Sequence, residues 1–247
     1  MIRKSGTSPD YSVVILCYET GDLIIQFVEK TIKSFFDNGI HDYELILVGN
    51  YWNNNTDKTP EIIQRLAETN PRIVAVTQLK QGMMGWDMKS GLTVAKGKYI
   101  AVIDGDGQMP AEDLIRVYKS IKRENLDLVK TVRTTRDDGK IRRIISVVFN
   151  LCFRTLYPNI ESIDINSKPK ILKRDSYKKL NLHSNDWFID AEIMIQAKHL
   201  GFKVGEVPTH FFVQPRQGGS YINFLTIFEF LGNLIRYKYI ELRHYRK

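Results

Sequence analysis

Tyr99-Ile100-Ala101-Val102-Ile103-Asp104-Gly105-Asp106-Gly107-Gln108-Met109-Pro110 is the stretch that decides the fold. It begins with an unbroken apolar run, the mark of a strand buried on both faces. It continues as a glycine-rich turn carrying two carboxylates and a carboxamide. Such a turn, just past a strand's carboxyl end, lies at the edge where open α/β sheets bind ligands. Asp104, Asp106 and Gln108 are hard oxygen donors, which suit Mg2+ or Mn2+ rather than zinc. An ion held this way keeps positions for water and for substrate phosphates, so the turn points to a cation that holds a diphosphate. An Asp-Gly turn without chemistry is the competing reading of the same residues.

Outward from this stretch the chain alternates strand and helix. Residues 11–18 are β-branched and apolar and read as the first strand; 23–36 follow a helical pattern. Residues 43–48 form a second strand, and 49–56 a polar loop crowded with asparagine. Thr59 as N-cap, Pro60 at the first helical position and Glu61 in the first turn start a helix running to about residue 68. A short strand at 72–76, a Gly-Met-rich loop with helix at 81–95, and the strand at 99–103 follow. This alternation predicts an α/β fold: a mostly parallel central sheet with helices on both faces. Downstream, 112–123 reads as helix and 126–132 as strand. Basic residues then cluster at Lys130, Arg133, Arg136, Lys140, Arg142 and Arg143. Residues 144–156 form an apolar helix, 163–172 are extended and loop-like, and 188–200 are helical. A strand at 203–207 is stopped by Pro208, and 214–220 form a glycine-rich loop containing Arg216. The expected organisation is one domain over 1–220 and an amphipathic basic tail over 221–247. That tail has a polar stripe at Asn223, Thr226, Glu229, Asn233 and Arg236. It suits either a membrane interface or packing on protein.

The whole chain has 247 residues and a net charge of +8, which favours anionic partners. Cys17 and Cys152 sit in apolar runs and read as buried hydrophobes, not as a disulfide framework. Residues 1–10 lack the apolar core of a secretory signal. The expectation is a cytoplasmic protein, at most peripheral at the inner face of a membrane.

Several stretches together resemble one family, the family 2 inverting glycosyltransferases of the GT-A fold, near their dolichyl-phosphate mannose synthase-like branch. Residues 11–19 are similar to its opening strand, and 48–67 to its VDDGS-TD-T segment. Residues 82–97 resemble its G---A-G helix, and 104–110 match its D-x-D-x-Q-x-P pattern. Residues 164–170 resemble its acceptor-side segment and 188–208 its E-x8-G-x4-E-x-P region. Residues 216–220 match its R-x-x-G-S loop. The family's paired aspartates after the second strand are here Gly49 and Asn50, followed by Tyr51, Trp52 and three asparagines. Ser167 stands where the family often has glycine.

The resemblance implies transfer of a sugar from a UDP- or GDP-sugar to a lipid phosphate or glycan acceptor, with Mg2+ or Mn2+ as cofactor. Asp104, Asp106 and Gln108 would hold the metal. Glu19, Asn50, Asp87, Asp104, Asp106, Arg216 and Ser220 would bind the donor. Where the chain departs from the family after the second strand, Tyr51 or Trp52 could stack on the base; a solvated turn is the competing reading of the asparagine run. Arg133 and Arg136 are further candidates for the diphosphate or an acceptor phosphate. Catalysis would fall to Asp106 and Arg216 at the leaving group and to Asp190 as general base for a hydroxyl acceptor. An acceptor phosphate, already anionic, needs no base. Glu192 reads as a loop-fixing partner, and Asp164 is a further acidic candidate. Contact of the tail with a membrane surface and homo-oligomerisation are left open, and no nucleic acid is expected.

Two other functions compete. A nucleotidyltransferase should carry Lys or Arg in the loop after the first strand, and Tyr18-Glu19-Thr20-Gly21-Asp22 carries neither. A basic nucleic-acid-binding protein would bind with steep salt dependence but leaves the three oxygen donors without a role.

Overall fold

The computed structural model describes residues 8–53, 56–137, 140–213 and 232–239, with side chains of 136 and 140–145 excepted. Seven strands among these residues form one sheet in the order β3-β2-β1-β4-β6-β5-β7. The strands are β1 (Tyr11–Leu16), β2 (Tyr43–Val48), β3 (Ile73–Val76), β4 (Tyr99–Asp104), β5 (Leu128–Arg136), β6 (Lys170–Lys173) and β7 (Val204–Phe211). All are parallel except β6, which runs antiparallel to both β4 and β5. The expected α/β architecture is therefore present.

Helices cover both faces because the strands are apolar on both. Tyr11, Val13 and Ile15 of β1 point to one face, into a core with α1 (Leu23–Asp37), α2 (Thr59–Thr69) and α4 (Asp113–Arg123). Val14 and Leu16 point to the other, toward α3 (Met84–Val94), α5 (Lys140–Leu156) and α7 (Ile189–His199). The short α6 (Arg174–Tyr177) follows β6. α3 lies especially close to the sheet at Gly91. A Cβ there would sit 2.4 Å from Val14 Cγ1 and 2.7 Å from Val48 Cγ2. Gly91→Ala is therefore expected to destabilise the protein by about 1–3 kcal/mol, the usual cost of overpacking, read as a lower denaturant midpoint.

Four local expectations are corrected. Residues 170–173 form a strand where 163–172 read as a loop. The lysines of Lys-Ile-Leu-Lys break the apolar signal, yet Lys170 is buried and charge-paired. β5 runs through the basic stretch to Arg136, with a register shift between Arg133 and Thr135. β7 continues through Pro208 because among the described strands it pairs only with β5, and edge strands tolerate proline. Thr59 is the first helical residue of α2 rather than its cap. Asp57 Oδ1 accepts from Thr59 N at 2.9 Å and Thr59 Oγ1 at 2.5 Å.

Of the tail, 232–239 is helical and lies against the body. Leu234 is buried, the Tyr237 ring lies tilted at 46° to that of Phe188 with 5.4 Å between centroids, and Asn233 Nδ2 donates to Asp186 Oδ2 at 2.7 Å. The expected division at 220/221, with Arg216 and Ser220, lies outside the described residues. No helix among the described residues is long and apolar enough to cross a membrane.

Candidate active site

The chain moves outward from β1 to β2 and β3, then returns to place β4 on the other side of β1. The sheet thus has a topological switch point between β1 and β4, where ligands bind outside the carboxyl ends. Leu16 and Asp104 are register partners there, so the Asp turn opens directly over that crevice. Gly105 N donates to Leu16 O at 2.8 Å, and a Cβ on Gly105 would meet Ile15 Cγ2 and Ile24 Cδ1 at 2.9 Å. Glycine lets the turn lie flat on the core, with Asp104 and Asp106 on either side. Gly107 takes φ +71°, and Gln108 N donates to Asp106 Oδ1 at 3.0 Å, closing an Asx-type turn.

The turn forms one wall of a cleft of about 310 Å3. Other walls are Tyr18, Trp52, Lys80 and Asp87 on one side, and Asn166, Lys168, Trp187 and Asp190 on the other. The sequence-derived residues Asp104, Asp106, Gln108, Asp87 and Asp190 are thus brought together.

On the first side, the amide of Asn50 is fully engaged. Its Nδ2 donates to Asp87 Oδ1 and Ser90 Oγ, both at 2.9 Å, and its Oδ1 accepts from Gln78 N at 2.9 Å. Asn50 therefore orients Asp87. Lys80 completes this group: it pairs with Asp87, and its ammonium lies 4.3 Å from the Tyr18 ring centroid and 5.8 Å from that of Trp52. Burial raises the Asp87 carboxyl above the ordinary carboxylate value, against the pull of Lys80 and Asn50. The asparagine-rich loop starts as a continuation of the sheet. Tyr51 N donates to Gln78 O at 3.0 Å and Lys80 N to Tyr51 O at 2.8 Å, which sets Trp52 at the cleft. Glu19 is exposed at the rim, with φ +53°, its N–H donating to Asp57 Oδ2 at 3.1 Å.

On the second side lies a buried ionic chain. Lys168 Nζ is 3.1 and 3.2 Å from the two Asp104 oxygens and 3.4 Å from Asp190 Oδ2. Lys170 Nζ is 2.5 Å from Asp190 Oδ1. Burial acts to lower Lys168, but Asp104 and Asp190 outweigh it and hold the amine above its ordinary value. Burial lowers Lys170 to about 8, helped by Lys130 and Lys168 and opposed by Asp190. For Asp190, burial acts upward and the two lysines more than offset it, so the carboxyl stays below its ordinary value. Arg133 grips Asp164 with Nε and Nη2, both at 2.6 Å. Glu192 is fully buried and accepts from His183 N at 3.0 Å and Ser184 N at 2.9 Å, which fixes the loop bearing Trp187.

Lys80, Lys168 and Lys170 join the site without a motif in the sequence to mark them. Their signal was a lysine beside or within apolar strand segments, which reads equally as an exposed residue.

The donor set fits a divalent ion. Asp104 and Asp106 offer carboxylate oxygens at the cleft, and Asn166 Oδ1 in the same cleft is buried with no hydrogen-bond partner among the described residues. Among the described residues no cluster of three His, Cys, Asp or Glu side chains forms, so an ion here would draw remaining ligands from amide oxygens, water and substrate.

A seven-stranded, mostly parallel sheet of this order is the GT-A fold. The chain belongs to glycosyl transferase family 2, whose model matches residues 12–183. It is 23% identical over 211 residues to a dolichyl-phosphate β-glucosyltransferase of Trichomonas vaginalis, covering 80% of this chain and 64% of that protein. It is 32% identical over 139 residues to an undecaprenyl-phosphate 4-deoxy-4-formamido-L-arabinose transferase of Proteus mirabilis, covering 56% of this chain and 41% of that one. The chain spans less than two thirds of the length of either relative. Among solved structures it is similar to glucosyl-3-phosphoglycerate synthase of Mycobacterium tuberculosis in complex with UDP. The TM-score is 0.70 at 18% identity, covering 93% of this chain and 80% of that one. Other crystals of that enzyme hold Mn2+ or Mg2+ with UDP.

Proposed function

We propose that the protein is a metal-dependent inverting glycosyltransferase that moves a sugar from a nucleoside diphosphate to a polyprenyl phosphate. The observation that carries this reading is the Asp104–Asp106 turn over the β1/β4 switch point, in a cleft with aromatic rings on one side and a buried cation on the other. The named relatives act with dolichyl or undecaprenyl phosphate, which supports a lipid phosphate here.

The residues divide the work as follows. Trp52 and Tyr18 offer faces for the base, and Asp87, held by Asn50 and Lys80, offers a carboxylate to its N–H edge. Asp104 and Asp106, with Gln108 as a further oxygen, would hold Mg2+ or Mn2+, which as a Lewis acid supplies charge stabilisation to the departing diphosphate. Arg216 and Ser220 remain proposed donors to the diphosphate. Asp190, paired with two lysines, is engaged as a counter-charge, so the geometry favours an acceptor that arrives already anionic over a hydroxyl that needs deprotonation.

The experiment is a transfer assay with polyprenyl phosphate and with the corresponding free alcohol, preceded by melting curves with UDP, GDP and dTDP, each with and without Mn2+. Metal-dependent stabilisation by one nucleotide and transfer to the phosphate alone are expected. Transfer to the alcohol at an equal rate would overturn the acceptor assignment. Trp52→Ala is expected to weaken nucleotide binding by about 1–3 kcal/mol, the typical worth of one base–aromatic stack, measured by calorimetric titration.

A further inference from the structure

Lys168 stands between the two halves of the cleft. Its side chain is only 4% exposed, yet its ammonium meets both oxygens of Asp104 and one of Asp190. It is fixed from behind as well: Thr131 Oγ1 donates to Lys168 O at 2.5 Å, and Lys170 takes the second oxygen of Asp190. A lysine at this point changes what the Asp turn can do. A pair of carboxylates alone carries two negative charges and attracts a divalent ion unaided. Here the formal charges of Asp104 and Asp190 are matched by those of Lys168 and Lys170. An ion placed on Asp104 would share that carboxylate with the Lys168 ammonium, 3.1 Å from its Oδ1, and the two like charges would repel.

We propose that Lys168 is a resident counter-cation on Asp104, which makes the divalent ion and the nucleoside diphosphate bind this cleft synergistically rather than the ion binding alone. The inference rests on the reading of Asp104 as a metal ligand. The diphosphate supplies the missing negative charge: its oxygens complete the ion's coordination and offset the lysine. Lys168 is in this sense a positioning residue, acting on the ion through Asp104. Asp190 sets how hard it acts, because it competes with Asp104 for the same ammonium.

The test is Mn2+ binding to the full chain, followed by electron paramagnetic resonance, with and without saturating UDP. In the wild type, UDP is expected to tighten Mn2+ binding by about 10-fold or more, and Mn2+ to tighten UDP by the same factor, as linkage requires. Lys168→Met is expected to bind Mn2+ alone about 10-fold more tightly than wild type, with the synergy reduced by the same factor and the part due to direct coordination by the diphosphate retained. Lys168→Gln provides the same charge change with polarity retained should the methionine variant fail to fold. Asp190→Asn moves the other way: Lys168 then attends Asp104 alone, and Mn2+ binds less tightly without nucleotide. A purely structural lysine would not produce these opposite shifts. Wild-type Mn2+ binding that is indifferent to UDP, or Lys168 variants that bind Mn2+ alone no more tightly than wild type, would overturn the proposal. Undiminished Mn2+ binding by Asp104→Asn would instead remove the metal-site reading beneath it.

Discussion

Asp104→Asn is expected to lower kcat/KM for sugar transfer by about 10^3-fold, since loss of a metal ligand forfeits about 4 kcal/mol of charge stabilisation on the leaving diphosphate. Asp106→Asn is expected to behave alike. Neither change should cost much stability, because Asp104 ends β4 with its side chain 37% exposed, its asparagine replacement keeps a carbonyl oxygen for Lys168, and Asp106 sits on the turn that follows. Melting temperatures near wild type, with the Mn2+-dependent stabilisation by nucleotide abolished, would assign the loss to the site rather than to folding. Turnover within a few-fold of wild type would remove the metal from the reaction as proposed.

Asp190→Ala carries the largest expected effect on stability. Asp190 is 1% exposed and answers two buried ammoniums, Lys170 at 2.5 Å and Lys168 at 3.4 Å. Removing one partner of a buried pair leaves uncompensated charge, at a cost of about 3–5 kcal/mol. The measurement is urea unfolding, and a midpoint equal to that of wild type would show that the lysines find other partners. The pH dependence has a definite sign. The folded carboxyl lies below its ordinary value of 3.8, so its stabilisation is present above that value and lost as the pH falls through the folded one. The gap between wild type and Asp190→Ala should therefore narrow in acid. Asp190→Asn, which keeps the volume and a carbonyl acceptor, should lose less.

The parallel half of the sheet was legible because its strands are buried on both faces. Apolar runs such as Tyr11–Leu16 and Tyr43–Val48 have no other stable use between amphipathic helices. The Asp turn was legible for a local reason: residues Asp104 to Gln108 lie within one turn, so their spacing in the chain is nearly their spacing in space. β6 was not legible. It is short and half lysine, and its burial depends on Asp190, twenty positions away. The role of Asn50 was also hidden. Its sequence position suggests a base contact, but its amide is consumed by Asp87, Ser90 and Gln78 N, residues delivered by α3 and by the loop after β3.

The sequence by itself determined the α/β architecture and the family, and it set two carboxylates and a carboxamide within one short segment, because each is written in a periodicity or in a contiguous motif. Only the tertiary structure decided what surrounds those donors. It joined Lys80 to Asp87, placed Lys168 between Asp104 and Asp190, and turned Asp190 from an acidic residue on a helix into the counter-charge of two buried lysines. The reason is the antiparallel return of β6 beside β4, which carries residues 168–170 across the sheet to the Asp turn. Charges so far apart in the chain meet only when the strands pair, and no local pattern records the meeting.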